Sequence, residues 1–294
     1  MANFQLPLPS PLVKKSNALA RARWSIESIW EPRLVALLAS KVRVEDADFH
    51  IYEIPVNEIL HNHGGRIYKE IEAVVDNVIS RVITIRNDDG WEKYTVFNEC
   101  EFIRSKGILR IGFHPKLKPH YLNLKKNFTE YSLMEFLLLP SVYSQRLFEI
   151  LKSWNNLPEV TIQISELHEM IFTPDYCRKN FREFRRWVLE KAHKDITTHT
   201  SLIYDWEPIK KGRSVTEIRF VFSKHRVAIV NKTNNEKNQE KIINRNNKIF
   251  IQANNCAKQH KGECLKEEQK NTAVCNLCRE LKMLKEYNRL NSGK

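Results

Sequence analysis

No apolar run in this 294-residue chain approaches the roughly 20 residues that span a bilayer. The longest, Phe136–Pro140 within Leu133–Val142, falls far short, so no membrane partner is expected. The opening residues Met1–Pro11 have no basic segment ahead of an apolar block. No secretory signal is therefore read, and the cytoplasm is the expected address. There is no Gly-x-x-x-x-Gly-Lys-Ser/Thr loop, which argues against ATP hydrolysis. Cysteine is sparse: of six, Cys100 and Cys177 stand alone and the rest cluster near the C-terminus. The first 175 residues also lack any positive excess, holding 21 Lys+Arg against 22 Asp+Glu, a net of −1.

All of the formal charge of +13 therefore lies further on. Residues 176–226 hold 13 basic against 6 acidic residues, and residues 227–294 hold 14 against 7, so each stretch carries +7. A jump confined to one helix and the hairpin after it is the electrostatic footprint of a nucleic-acid-binding face. The 42% hydrophobic content, with 14 Phe, 6 Trp and 9 Tyr, supplies real cores. The length suits about two domains and a tail.

Two halves of the chain repeat one pattern. In the first, Phe49–Ile54 alternates like a short strand and Val56–Leu60 forms a brief helix. A turn at His63-Gly64-Gly65 leads into an amphipathic helix from about Arg66 to Ser80, with Ile67, Ile71, Val74, Val75 and Val78 on one face. Val82–Ile85, the Asn87-Asp88-Asp89-Gly90 turn, Glu92–Phe97 and Ile108–Phe113 complete it, the Asp-Gly step marking a hairpin. In the second, the strand Val160–Ile164 precedes a short helix from Ser165 and the turn Phe172-Thr173-Pro174-Asp175. A long helix follows to about Thr197, and a hairpin pairs Leu202–Glu207 with Val215–Phe222. Helix, turn, helix and β-wing, twice over, predicts an α+β chain of two tandem winged-helix domains.

The expected organisation is a disordered leader over residues 1–15, a first winged domain over 16–135 and a second over 136–226. A linking helix, Ser132–Trp154, is expected to be interrupted near Pro140. Residues 227–255 form a linker, whose Asn/Lys/Gln/Glu-rich core at Asn231–Asn247 has almost nothing to bury. A cysteine-bearing basic tail occupies 256–294.

On a helical wheel with Phe184 at 0°, Val188, Ala192 and Ile196 fall at about 40°, 80° and 120°, with Phe181 near 60°. That stripe faces the core. The other side presents Lys179, Arg182, Arg186 and His193, while Arg178 and Arg185 flank the stripe. An α-helix fits the major groove, where Arg donates two bonds to guanine, and Lys more often neutralises phosphates. A charged helix face alone is also what solvation produces. The helix-turn-helix before it and the basic tip Lys210-Lys211-Gly212-Arg213 after it turn the reading towards DNA. The candidate DNA-binding set is therefore Arg178, Lys179, Arg182, Arg185, Arg186, His193, Lys210, Lys211 and Arg213. No catalytic residue and no cofactor for DNA binding are expected.

Several stretches together resemble the Rep initiator proteins of theta-replicating plasmids with iteron origins. Ser16-Asn17-Ala18-Leu19 leads to Pro32-Arg33-Leu34, Tyr68 opens the long helix of the first domain, and Gly107-Ile108-Leu109-Arg110-Ile111-Gly112-Phe113 precedes Pro119-His120-Tyr121-Leu122 and Phe128-Thr129-Glu130-Tyr131. Residues 141–151 resemble the family's Ser-x-Tyr-Ser-x-Arg-Leu-Tyr-Glu-Leu-Leu motif, with Phe148 in place of Tyr. Phe184-Arg185-Arg186-Trp187-Val188-Leu189 with Ala192 and Asp195-Ile196 is similar to its recognition helix. The resemblance runs from about Ser16 to Phe222. It implies a second domain that is the main reader of direct repeats in double-stranded DNA. It also implies a dimer, formed largely through the first domain, that represses its own promoter, and monomers that occupy iterons. The host replication initiator and replicative helicase are implied partners. The Leu-His-Glu-Met run around His168 and Met170 departs from the family, and the tail lies beyond its common core.

Rival readings remain at this point. A winged-helix transcriptional repressor would share the second domain. A rolling-circle nicking enzyme would need His61 and His63 on a rigid strand with Tyr68 as nucleophile, but Asn62 between them and Gly64-Gly65 after them place them on a turn. Trp24, Trp30 and Trp187 read as core or interface residues. Cys275-x-x-Cys278 has knuckle spacing, and Cys256 and Cys264 would complete four thiolates for zinc, with His260 a substitute. The alternative is a basic tail with spare thiols.

Overall fold

The computed structural model describes residues 11–43, 46–56, 67–87 and 89–222, without the side chains of 67–70 and 87. The expected Val56–Leu60 helix beyond Val56, the His63-Gly64-Gly65 turn, the linker and the cysteine tail lie outside these residues.

The chain enters the fold earlier than expected. Leu12–Ser16 is a strand, β1, paired antiparallel with β7, Phe128–Ser132. The leader is therefore shorter than residues 1–15. The physical reason is alternation: Val13 and Lys15 point inward, at 0% and 4% exposure. Ser16 then caps the short helix Asn17–Ala20, its side chain accepting from the Leu19 N–H at 3.1 Å.

In the first winged domain, helix Trp30–Ala39 is buried on nearly every side. Helix Ile67–Ser80 packs on it and shows the predicted stripe, with Ile71, Val74 and Val78 buried. A three-stranded sheet runs in the order β2 (Tyr52–Pro55), β6 (Ile108–Phe113), β5 (Phe97–Ile103), with Ile54 opposite Leu109. The wing is a separate hairpin of β3 (Val82–Asn87) and β4 (Gly90–Thr95). Its Asp-Gly turn places Gly90 at φ +145°, a conformation that suits glycine.

The linking segment breaks at Pro140 as expected. Helix Leu133–Leu137 is capped by Ser132 and helix Val142–Lys152 by Ser141. The second of these packs against both domains, touching β7 on one side and helices Ile164–Ile171 and Lys191–His199 on the other. It carries a buried ionic hub. Glu149 takes Lys15 Nζ at 2.5 Å, the Tyr131 hydroxyl at 2.5 Å and Arg146 Nη1 at 2.7 Å. Arg146 also donates to the Ala22 carbonyl at 2.7 Å and, more weakly, to Met170 at 3.4 Å. Burial alone would raise the Glu149 carboxyl. Lys15 and Arg146 more than offset it and hold the group ionised below the usual range.

The second domain has the sheet order β8 (Glu159–Gln163), β10 (Ser214–Phe222), β9 (Tyr204–Lys211). Along β10, Ile218, Phe220 and Phe222 are all buried, as the period-two pattern requires. Helix Ile164–Ile171 ends at Phe172, which takes the left-handed conformation at φ 58°, ψ 54°.

Among the described residues no helix is long and apolar enough to cross a membrane.

Candidate nucleic-acid interface

The reading helix does not begin at Tyr176. Asp175–Lys179 is a single short helix that stops at Asn180, whose backbone is extended at φ −137°, ψ 105°. The long helix starts afresh at Phe181 and runs to His199. Asn180 is its cap, the side-chain oxygen accepting from the Arg182 N–H at 3.0 Å. The apolar stripe runs smoothly across the break, so periodicity alone hid it. The signal was Asn180 itself, a strong capping residue just ahead of the periodic run.

Within the helix, Arg185–Glu190 forms a π-helical turn. Residues five apart lie about 140° apart on an α-helix, but an i→i+5 pattern brings them to one side. Arg185 Nε accordingly donates to Glu190 Oε1 at 2.7 Å. The core stripe is as predicted: Phe184, Val188, Ala192 and Ile196 are fully buried, and Leu189 joins them.

The candidate residues divide into two groups. Arg182, Lys179, Lys210, Lys211 and Arg213 are exposed and have no ion-pair partner among the described residues. Arg186 is exposed with its guanidinium 4.9 Å from the Trp187 ring centre. Lys179, Lys210 and Arg213 meet Arg178 and Phe181 along one open groove between the helix-turn-helix and the wing. Gly212, at φ +65°, makes the tight tip that presents Lys211 and Arg213.

The others are engaged inside the protein. Arg178 donates from Nε to the Thr173 carbonyl at 2.8 Å, from Nη2 to the His168 carbonyl at 3.2 Å, and from Nη1 to Glu169. It ties the turn to the helix before it. His193 turns towards the wing, its Nε2–H donating to the Tyr204 carbonyl at 2.9 Å and its ring edge-on to Tyr204. These two side chains bond the backbone of neighbouring elements. Arg185 is exposed but paired with Glu190.

Sequence reasoning placed Trp187 in a core or interface. It is 45% exposed, with its indole N–H donating to Glu183 at 2.9 Å. Phe172 and Tyr176 are likewise half exposed. Trp24, by contrast, is in the core. The unusual Leu-His-Glu-Met run also has an explanation. His168 packs on Phe184 with ring centres 4.2 Å apart and hydrogen-bonds Thr173 Oγ1 at 2.7 Å, while Met170 is buried. Burial, aided by Arg178, lowers the His168 pKa to about 4, so the ring is neutral at physiological pH.

Among the described residues no group of three or more His, Cys, Asp or Glu side chains is arranged to hold a metal. The cysteine tetrad and the His61/His63 pair lie outside the described residues.

The chain matches two family models. Residues 12–152 match "Initiator Replication protein, WH1" and residues 163–222 match "Initiator Rep protein, WH2". Among solved structures, it is similar to the Pi initiator protein, which was crystallised in complex with iteron DNA. That match covers 74% of this chain and 98% of the other, with a TM-score of 0.58 at 17% identity, and concerns the fold. With both winged domains matched in order across the described fold, this chain belongs to the initiator replication protein family.

Proposed function

We propose that the chain is a plasmid replication initiator that binds direct repeats (iterons) in double-stranded DNA. The observation that carries this reading is the grouping of unpaired basic residues around one helix and one wing tip. Arg182 and Arg186 are exposed on the helix, at positions suited to base edges. Lys179, Lys210, Lys211 and Arg213 flank it at positions suited to phosphates. Membership of the initiator family supports origin binding over simple repression, and the Pi protein's iteron complex supports direct repeats as the target. The protein acts by binding and has no catalytic step of its own.

Footprinting on the DNA beside the gene tests this. Protection of several short direct repeats is the expected result. A single protected palindrome would instead favour a transcriptional repressor, and Tyr68-dependent nicking of supercoiled DNA would favour a nuclease.

The remaining parts of the reading are a dimer built mainly through the first domain, repression of the chain's own promoter, and recruitment of the host initiator and helicase in the cytoplasm. Sedimentation across concentrations tests the dimer, and a strictly monomeric chain would remove it. In the tail, the spacing Cys275-x-x-Cys278 with Cys256 and Cys264 supports one tetrahedral zinc. About one metal per chain in purified protein is expected from that four-ligand stoichiometry. Metal-free protein with four reactive thiols would end the zinc proposal and leave the DNA-binding one intact.

A further inference from the structure

One wall of the basic groove carries a carboxylate. Glu169, on helix Ile164–Ile171, bonds Arg178 through one oxygen, and its other oxygen lies 3.7 Å from Arg23 Nη1. Arg23 belongs to the first winged domain, where its backbone pairs with Thr84 of the wing at 2.7 and 2.9 Å. Arg86, further along the same strand, also acts favourably on Glu169. One carboxylate thus bridges two arginines, Arg23 of the first domain and Arg178 of the second. The Arg178 hydrogen bond, with the charges of Arg178, Arg23 and Arg86, holds the carboxyl below its ordinary range against a smaller opposing effect of burial. At 44% side-chain exposure, Glu169 is open to an approaching phosphate.

We propose that Glu169 is an internal stand-in for a DNA phosphate, occupying Arg178 and Arg23 so that they add little to binding of the wrong sequence. The proposal rests on the DNA-binding reading above. Its physical basis is the difference between the two kinds of complex. Affinity for random DNA comes almost entirely from phosphate neutralisation. A non-specific complex slides until any available cation meets a phosphate. Base contacts hold the specific complex in one register, and the candidates for those contacts, Arg182 and Arg186, do not touch Glu169. A carboxylate that occupies spare arginines therefore removes more from non-specific than from specific binding.

The test compares wild type with Glu169→Gln, which keeps the volume and removes the charge. The probes are a random-sequence duplex and a duplex of the direct repeats beside the gene, each titrated by anisotropy across salt. Glu169→Gln should bind the random duplex about tenfold more tightly at 0.1 M salt, with the salt slope steeper by about 0.9 for each arginine released. Affinity for the repeat duplex should rise much less, so the specificity ratio falls. Adding Arg23→Gln to Glu169→Gln should reverse the slope by about 0.9. Unchanged slope and affinity in a folded Glu169→Gln protein overturn the proposal. If that variant fails to fold, Arg23→Gln alone decides. No change in slope fits an arginine already occupied, and a loss of about 0.9 means it already contacts phosphate and overturns the proposal. Wild-type protein that does not prefer the repeats would overturn the initiator reading, while the slopes on random DNA would still judge Glu169.

Discussion

The two winged domains share a layout and differ in what their outer elements carry. The first domain's hairpin, β3 and β4, presents Trp91 at 60% exposure with Lys93 Nζ 4.7 Å from its ring centre. The second domain's hairpin ends in Lys210, Lys211 and Arg213, and its reading helix adds Arg182 and Arg186. Charge differs in the same direction, with 17 Lys+Arg against 17 Asp+Glu over residues 16–135 and 15 against 11 over residues 136–226. A common scaffold thus supports two surfaces of different chemistry, and the function has to be argued from the surface. The domains are nevertheless not independent, because helix Val142–Lys152 belongs to the core of both.

The largest effect should come from breaking that shared core. Glu149→Ala leaves Lys15 and Arg146 buried without their counter-charge, a loss of about 3–5 kcal/mol for such pairs. Because Arg146 also bonds Ala22 and Met170, both domains should be destabilised together in one denaturation transition. Two separate transitions, with only the first domain shifted, would show that the hub serves one domain alone.

This hub also marks where the sequence stopped being legible. Elements with clean periodicity were read well: Ile71, Val74 and Val78 on one helix, Ile218, Phe220 and Phe222 on one strand. The residues that join elements were not. Lys15 was placed in the disordered leader, because its partner Glu149 is 134 residues away and no local pattern encodes that contact. At the site, the exposure of Arg182 and Lys211 was legible from charge and their place on the helix and wing tip. The inward bonds of Arg178 and His193 were not, because both go to backbone carbonyls of neighbouring elements, Thr173 and Tyr204, and carbonyls leave no trace in side-chain identity. The break at Asn180 was concealed because the apolar stripe continues through it.

A second, somewhat smaller effect should appear on acidification. The folded His168 has a pKa of about 4, below the 6.5 of an exposed ring. Between these values the unfolded chain binds more protons than the folded one, so stability is full above about pH 6.5 and falls as pH drops towards 4. At about 1.36 kcal/mol per pH unit, the loss is of order 3 kcal/mol. His120 in the first domain, hydrogen-bonded to Ser16, is also shifted down by burial, partly opposed by Glu92, and adds a loss of the same sign. His168→Gln should therefore flatten most of the acid loss of stability in the shared denaturation transition, leaving the His120 contribution. An unchanged pH profile would mean that another group governs it.

Next come the reading arginines. Arg182→Ala and Arg186→Ala should each cost about 1–3 kcal/mol on the repeat duplex and much less on random DNA, which lowers the specificity ratio. Neither side chain bonds a core residue, so melting temperatures should hardly move. Equal losses on both duplexes would assign these arginines to phosphates and shift base reading elsewhere on the helix.

The smallest expected effect sharpens the comparison most, because it asks whether the second wing is a phosphate clamp or merely an exposed basic tip. Lys210 and Lys211 lie where β9 meets the Gly212 turn, exposed and without an ion-pair partner among the described residues. Their side chains are long and flexible, which suits a diffuse phosphate contact better than a fixed base contact. Each Lys→Ala change should thus weaken repeat and random duplexes by similar factors and reduce the salt slope by about 0.9. Lys93→Ala on the first domain's hairpin is the comparison. Its ammonium already lies over the Trp91 ring, so its contribution to the slope should be smaller than that of either tip lysine. If all three variants lose the same slope, the two wings contact DNA alike and the division of labour drawn from charge fails. If only the tip lysines do, the second wing is the clamp that holds the helix Phe181–His199 in register over the bases it reads.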